Sequence, residues 1–247
     1  MTGSSKHGIL YGIGVGPGDP ELVPVKAARL LAQVDTVYTA ASTKNRYSRA
    51  VDIARRYIPD NTRVEMLHFP MTMDRREKER AWQGNAEQII DAVEAGRKVA
   101  FLTLGDPLTY STYGYVLRYI RSHSPHLPVE TVPGITSYQA AAACLNVPLV
   151  EGEESMLLVS GAQGGDRLRG LSQKPETVVF LKAYRNVADI TAALAESGAY
   201  EHRVGISHCG QPEQEIIEDV ETLKTKRPDY WTLIIAKRKK PNGPFPG

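Results

Sequence analysis

Apolar positions along the chain fall into short runs that alternate with stretches of helical spacing, and this alternation continues from one end to the other. Such a pattern predicts an α/β chain with a mostly parallel sheet, because parallel neighbours must be joined by crossover connections. In the first half the apolar runs predict strands over 8–14, 36–39, 63–67 and 98–104. Helical periodicity falls between them over 21–33, 48–57 and 75–95, the last closed by Gly96. A further helix over 110–121 runs into "SHSPHLP", which cannot propagate regular structure and marks a domain boundary near residue 125.

The alternation then restarts: strand 129–132, helix 137–145, strands 156–160 and 177–182, helix 187–197 and strand 203–208. The closing segments "EQEIIEDVETL" and "YWTLIIAKR" are spaced as strands whose link is too short for a crossover helix, so antiparallel pairing is expected there. The expectation is two α/β domains, 1–125 and 126–240, followed by a tail over 241–247. The first carries a mostly parallel sheet and the second a mixed one. No internal repeat or low-complexity segment interrupts this order.

Composition narrows the partners. With 42% hydrophobic and 23% charged residues the 247-residue chain can bury a sizeable core. No apolar run reaches the length of a membrane span, and the first residues lack the apolar core of a signal peptide, so the expected location is the cytoplasm. A net charge of +2, with basic residues interleaved with acids as in "DRREKER", leaves no footprint for nucleic acid. The cationic "KRKKPNGPFPG" reads as a solvated tail. Cys144 and Cys209 have no paired spacing, and the six histidines none that suits a metal, so reduced thiols and no zinc site are expected.

Three loops carry the candidate chemistry. "GIGVGPGDPELVPVKAARLL" looks like a phosphate cradle, yet Pro17 stands where a dinucleotide fingerprint needs its third glycine. Asp19, Pro20 and Glu21 follow, where a P-loop would need Lys and Ser or Thr. Those three residues suit a helix start instead, with Asp19 as N-cap and Pro20 in the first turn. The second loop, "LTLGDPLTYSTYGYV", leaves the end of a strand, where open α/β sheets bind ligands. The third, "VPGITSYQAAAACL", repeats strand, Pro-Gly turn and a helix rich in alanine.

In that order the three loops resemble the tetrapyrrole methylase family across roughly residues 8–238. "LHFPMTMDRREKERAWQGNAEQI" and "PLVEGEES" are similar to the branch that methylates C20 of precorrin-2 or of its cobalt form, cobalt-factor II. The resemblance implies S-adenosylmethionine as methyl donor, a tetrapyrrole substrate, a place in cobalamin biosynthesis, no protein-bound metal, and a homodimer. It implies that the donor lies between the domains against Pro17, Leu104, Gly105, Asp106, Thr109, Thr136, Ser137, Lys182 and Gly210. Lys182 stands where many relatives have methionine.

The first glycine loop then borders the macrocycle, whose carboxylates would meet Lys44, Arg46, Arg75 and Arg185. A sulfonium is already an activated donor, so proximity and orientation can supply roughly 7–11 kcal/mol. Tyr110 is the candidate for helping C20 lose its proton, with Tyr113 and His208 conceivable by location. The alternatives are a methylase for another tetrapyrrole position, a diphthine synthase-like methyltransferase, or a carrier that has lost transfer. An NAD oxidoreductase is disfavoured, since "VYTAAST" offers no acid for the ribose.

Overall fold

The computed structural model describes residues 8–41, 48–70, 72, 74–226 and 228–238. The chain divides into two compact units after Thr136. The first holds five parallel strands, β1 (Ile9–Gly14), β2 (Thr36–Ala41), β3 (Arg63–His68), β4 (Lys98–Thr103) and β5 (Val129–Val132). Their order across the sheet is β3-β2-β4-β1-β5. Four helices cover it: α1 (Val25–Leu31), α2 (Arg49–Ala54), α3 (Arg75–Glu94) and α4 (Tyr113–His123).

Strand alternation decides which helices lie on which face. Ile13, Val37, Ala100 and Leu102 point into one core with Leu31 of α1 and Ile53 of α2. Leu10, Tyr38, Val99 and Phe101 point into the other with Ile89 of α3 and Val116 of α4. Both faces are thereby buried, as a parallel sheet requires.

Two of the expected helices differ. The segment anticipated as 21–33 is broken: Asp19 caps a 3-10 turn over Pro20–Leu22, and α1 begins only at Val25. Pro24 is the cause, because Val23 before it is held extended at φ −68°, ψ 126°. The helix anticipated from residue 110 starts at Tyr113, since Tyr110 is in the left-handed region at φ 50°. By contrast α3 ends as the sequence suggests. Gly96 (φ 82°) donates to Val93, and Arg97 to Ala92, which is a Schellman closure.

The strand expected to open the second half, β5, instead pairs with β1 as the edge of the first sheet. The second unit begins with α5 (Ser137–Leu145) and contains β6 (Met156–Ser160), a short α6 (Asp166–Arg169), β7 (Thr177–Leu181), α7 (Val187–Glu196), β8 (Tyr200–Ser207), β9 (Glu215–Ile217) and β10 (Leu233–Arg238). Its order is β6-β7-β10-β8-β9, with only β6 and β7 parallel. The two closing segments are antiparallel partners of β8 on either side, not of each other. Asp219 caps a 3-10 turn over Val220–Lys224, which stops the first of them after three strand residues.

Candidate active site

The carboxyl ends of β1, β4 and β5 meet in a crossing too tight for side chains. A Cβ on Gly134 would lie 2.2 Å from the Gly105 carbonyl oxygen, and one on Gly14 would lie 2.5 Å from the same atom. Gly16 and Gly105 pair across the gap, the Gly105 N–H donating to the Gly16 carbonyl at 2.8 Å. Behind them the Tyr113 ring fills the space a side chain on Gly12 would need, its hydroxyl bonded to Thr131 at 3.1 Å. Burial pushes the Tyr113 phenol above its usual range.

Asp106 ties this crossing together. One carboxylate oxygen accepts from the Leu108 N–H at 2.9 Å and the Thr109 hydroxyl at 3.1 Å. The other accepts from the Gly134 N–H at 3.1 Å. A residue expected to offer its charge to a ligand thus first fixes two loops of its own unit. Pro17 and Thr136 are buried alongside, and Leu104 is half-buried. Tyr110, on the loop from β4, is 50% exposed. A non-glycine residue held at positive φ costs on the order of 1–3 kcal/mol and persists where the surroundings over-determine it.

The second unit repeats this at the ends of β7 and β8. Lys182 (φ 57°) and His208 (φ 50°) are left-handed and flank the start of β10. The Ala183 N–H donates to Thr232 at 2.9 Å, and Ser207 and Thr232 share a buried hydroxyl bond of 2.6 Å. The Lys182 ammonium lies 5.9 Å from the Tyr230 ring centre, and the Arg185 guanidinium 5.2 Å from that of Tyr184. His208 Nε2 is 2.9 Å from Asp229. The Gly210 N–H donates to Gln214 at 2.8 Å. Ser137 is the first residue of α5.

Six of the anticipated donor residues, Pro17, Leu104, Gly105, Asp106, Thr109 and Thr136, therefore belong to the first unit, the first five on loops leaving β1 and β4. Lys182 and Gly210 follow β7 and β8 in the second. The basic candidates gather less well. Arg75 is 2.7 Å from Glu79 on the exposed start of α3, Arg185 stands on the second unit, and Lys44 and Arg46 lie outside the described residues. Sequence reasoning missed Gly14 and Gly134 as close-approach positions, although Pro133-Gly134 was read as a turn. Among the described residues no group of three or more His, Cys, Asp or Glu could hold a metal ion. No helix among them is long and apolar enough to cross a membrane. A shallow groove of about 510 Å³ runs along Gln139, Asn146 and Leu149, and none of the anticipated residues lines it.

Residues 9–224 match the family described as Tetrapyrrole (Corrin/Porphyrin) Methylases. The chain belongs to that family. Among curated tetrapyrrole methylases it is 34% identical to the cobalt-precorrin-2 C(20)-methyltransferase of Salmonella typhimurium, over 94% of this chain and 98% of that one. It is 30% identical to the precorrin-2 C(20)-methyltransferase of a Sinorhizobium species, over 93% of this chain and 95% of that one. The uroporphyrin-III C-methyl transferase of Thermus thermophilus, solved with S-adenosylhomocysteine, shares the methylase fold at a TM-score of 0.68. It is 22% identical, with 96% of this chain and 97% of that one covered.

Proposed function

We propose that this methylase moves a methyl group from S-adenosylmethionine to C20 of precorrin-2 or of cobalt-factor II in cobalamin biosynthesis. The observation that carries the reading is the glycine crossing of β1, β4 and β5, tied by Asp106 at the carboxyl edge of a parallel sheet. Such an edge is where this class of sheet receives ligands, and backbone without side chains lets a flat molecule approach closely. The likeness to two C20-methyltransferases over nearly the whole chain supports the position methylated.

The donor supplies an activated methyl group, so the work left to the chain is placement. In this reading the residues that would hold it are drawn from Pro17, Leu104, Gly105, Asp106, Thr109, Thr136, Ser137, Lys182 and Gly210. Asp106 keeps Gly134 and Thr109 in fixed positions, which makes the surface they form rigid before a ligand arrives. Arg75 and Arg185 would meet substrate carboxylates, Arg75 by exchanging its Glu79 partner. Tyr110 would assist removal of the C20 proton, which requires its phenol to be near the acceptor when transfer occurs. The working form in this reading is a cytoplasmic homodimer, a state that light scattering on the eluted protein tests.

Labelled S-adenosylmethionine incubated with each tetrapyrrole, followed by mass and NMR of the product, decides the activity. A methyl at C20 is the expected outcome. A methyl at another position would make the chain a sibling methylase, and no transfer with tight binding would make it a carrier. For Tyr110→Phe a single-turnover rate reduced at least about tenfold is expected, and an unchanged rate at every pH would remove that role.

A further inference from the structure

The run "KRKKPNGPFPG" reads in the sequence as a solvated cationic tail, but the fold commits its first two cations internally. Lys237, its side chain 3% exposed, donates to the Pro148 and Leu149 carbonyls, the latter at 3.2 Å, and lies 3.9 Å from Glu154. Arg238 donates to the Lys174 carbonyl and lies 3.7 Å from Glu176. Of the run, only Lys239 and Lys240 continue beyond the strand. Two cations are too few for a membrane surface or a nucleic acid, which call for clusters of about four to eight.

The same contacts fix where residues 239–247 set out. They leave β10 beside the segment that joins α5 to β6, because Lys237 is bonded to carbonyls of that segment. Along it runs the shallow groove, with Ala142, Ala143, Val147, Pro148, Leu149 and Val150 as its apolar lining. Val150 is 44% exposed. Directly after it Glu151 and Glu153 are exposed as well. An apolar channel and two surface carboxylates thus follow one another on the second unit, at the point where the tail departs.

The tail carries the complement of that surface. Lys239 and Lys240 supply the opposite charge, and Asn242-Gly243 is a turn pair that lets the chain change direction. Pro244-Phe245-Pro246 follows, held extended by its prolines, so its aromatic ring docks with little backbone freedom left to lose. Nine residues span at most about 30 Å, whereas α5, nine residues long, measures about 14 Å. The ring therefore reaches any point of the groove.

We propose that residues 239–247 fold back along α5, with Lys239 and Lys240 against Glu151 and Glu153 and the Phe245 ring in the apolar groove, strapping the connection between α5 and β6 to its own unit. This owes nothing to the methyl-transfer reading and is tested apart from it.

Phe245→p-benzoylphenylalanine in the full chain, irradiated as an equal mixture of natural and heavy-isotope-labelled protein, shows by peptide mass spectrometry what the ring touches. Adducts within residues 139–150 of the same chain are expected. Adducts on that segment of a second copy would make the groove an interface between copies, and adducts elsewhere or none at all would leave it without this occupant; each overturns the inference. Hydrogen exchange of the full chain beside one ending at Arg238 gives a second measure. Amides over 143–150 should exchange at least about tenfold faster without the tail, while those of β7 and β10 keep their rates. Equal rates over 143–150 overturn the inference. Lys239→Glu with Lys240→Glu should reproduce the loss, and adding Glu151→Lys with Glu153→Lys should restore protection, which a merely structural effect of the lysines would not do; a failure to restore it overturns the pairing on which the docking rests.

Discussion

Replacing Gly134 by alanine adds one methyl group where three strand ends cross. Its Cβ would stand 2.2 Å from the Gly105 carbonyl oxygen and 2.8 Å from the backbone of Gly14. Ordinary contact begins near 3.4 Å, so backbone on one side or the other must retreat by about 1.2 Å, and backbone held in a sheet cannot swing aside as a side chain can. Overpacking of this kind costs about 1–3 kcal/mol. The retreat also stretches the 3.1 Å bond from the Gly134 N–H to Asp106, and a hydrogen bond to a charged group contributes about 1.5–3 kcal/mol. The expected loss is therefore about 2.5–6 kcal/mol, a fall of roughly 5–24 °C in thermal midpoint for a chain of this size.

Thermal and urea unfolding of Gly134→Ala beside wild type measure it, with S-adenosylhomocysteine affinity as a second readout that should weaken as the crossing spreads. Gly84→Ala is the control. That glycine lies within α3, where an added Cβ meets nothing within 4 Å. Alanine there should stabilise by about 0.5–1 kcal/mol through helix propensity. A Gly134→Ala midpoint within about 2 °C of wild type would refute the steric argument, since the two glycines would then differ in nothing that matters.

Three further outcomes are expected. Lys237, with its side chain 3% exposed, donates to the Pro148 and Leu149 carbonyls beside Glu154; Lys237→Met should cost about 2–4 kcal/mol by stranding those acceptors, and a midpoint equal to wild type would contradict this. The Ser155 N–H and hydroxyl, with Arg238 close by, hold the Glu176 carboxyl down at about 2 against an ordinary 4.5. Because the folded state lowers this pKa, its contribution is complete above about pH 4.5 and drains away as pH falls toward 2. Wild type minus Glu176→Gln in unfolding free energy should shrink across that window, and a difference flat in pH would rule the linkage out. Burial pushes the Cys209 thiol up to about 11, while Cys144 is exposed; a disulfide reagent at pH 8 should label one thiol quickly, and a second fast thiol in the folded protein would show that Cys209 is not sealed.

What the sequence determined by itself was local. Strand alternation and helical spacing located β1 to β4, α3, α5 and β6 to within a residue or two, because burial on one face imposes its period on the residues themselves. Gly96 closed α3 for the same kind of reason, a conformation only a few residue types accept readily. The three loops of the candidate site were legible as turns at strand ends, and their order carried the family.

The tertiary structure decided everything that depends on a partner far along the chain. β5 was placed with the second half because its run follows a breaker, yet its neighbour is β1, and no residue within it names that choice. The closing segments lie on opposite sides of β8 for the same reason. Pairing is settled by which edge is open once the helices have packed, which is a property of the assembled sheet. Asp106 was legible as a carboxylate at a turn, but the N–H from Gly134 that it accepts comes from 28 residues away. Likewise nothing in "SHCGQPEQ" says that His208 Nδ1 and Gln211 Oε1 will be buried without a hydrogen-bond partner among the described residues. Desolvation is imposed by surroundings, so it appears only when the chain has closed around them.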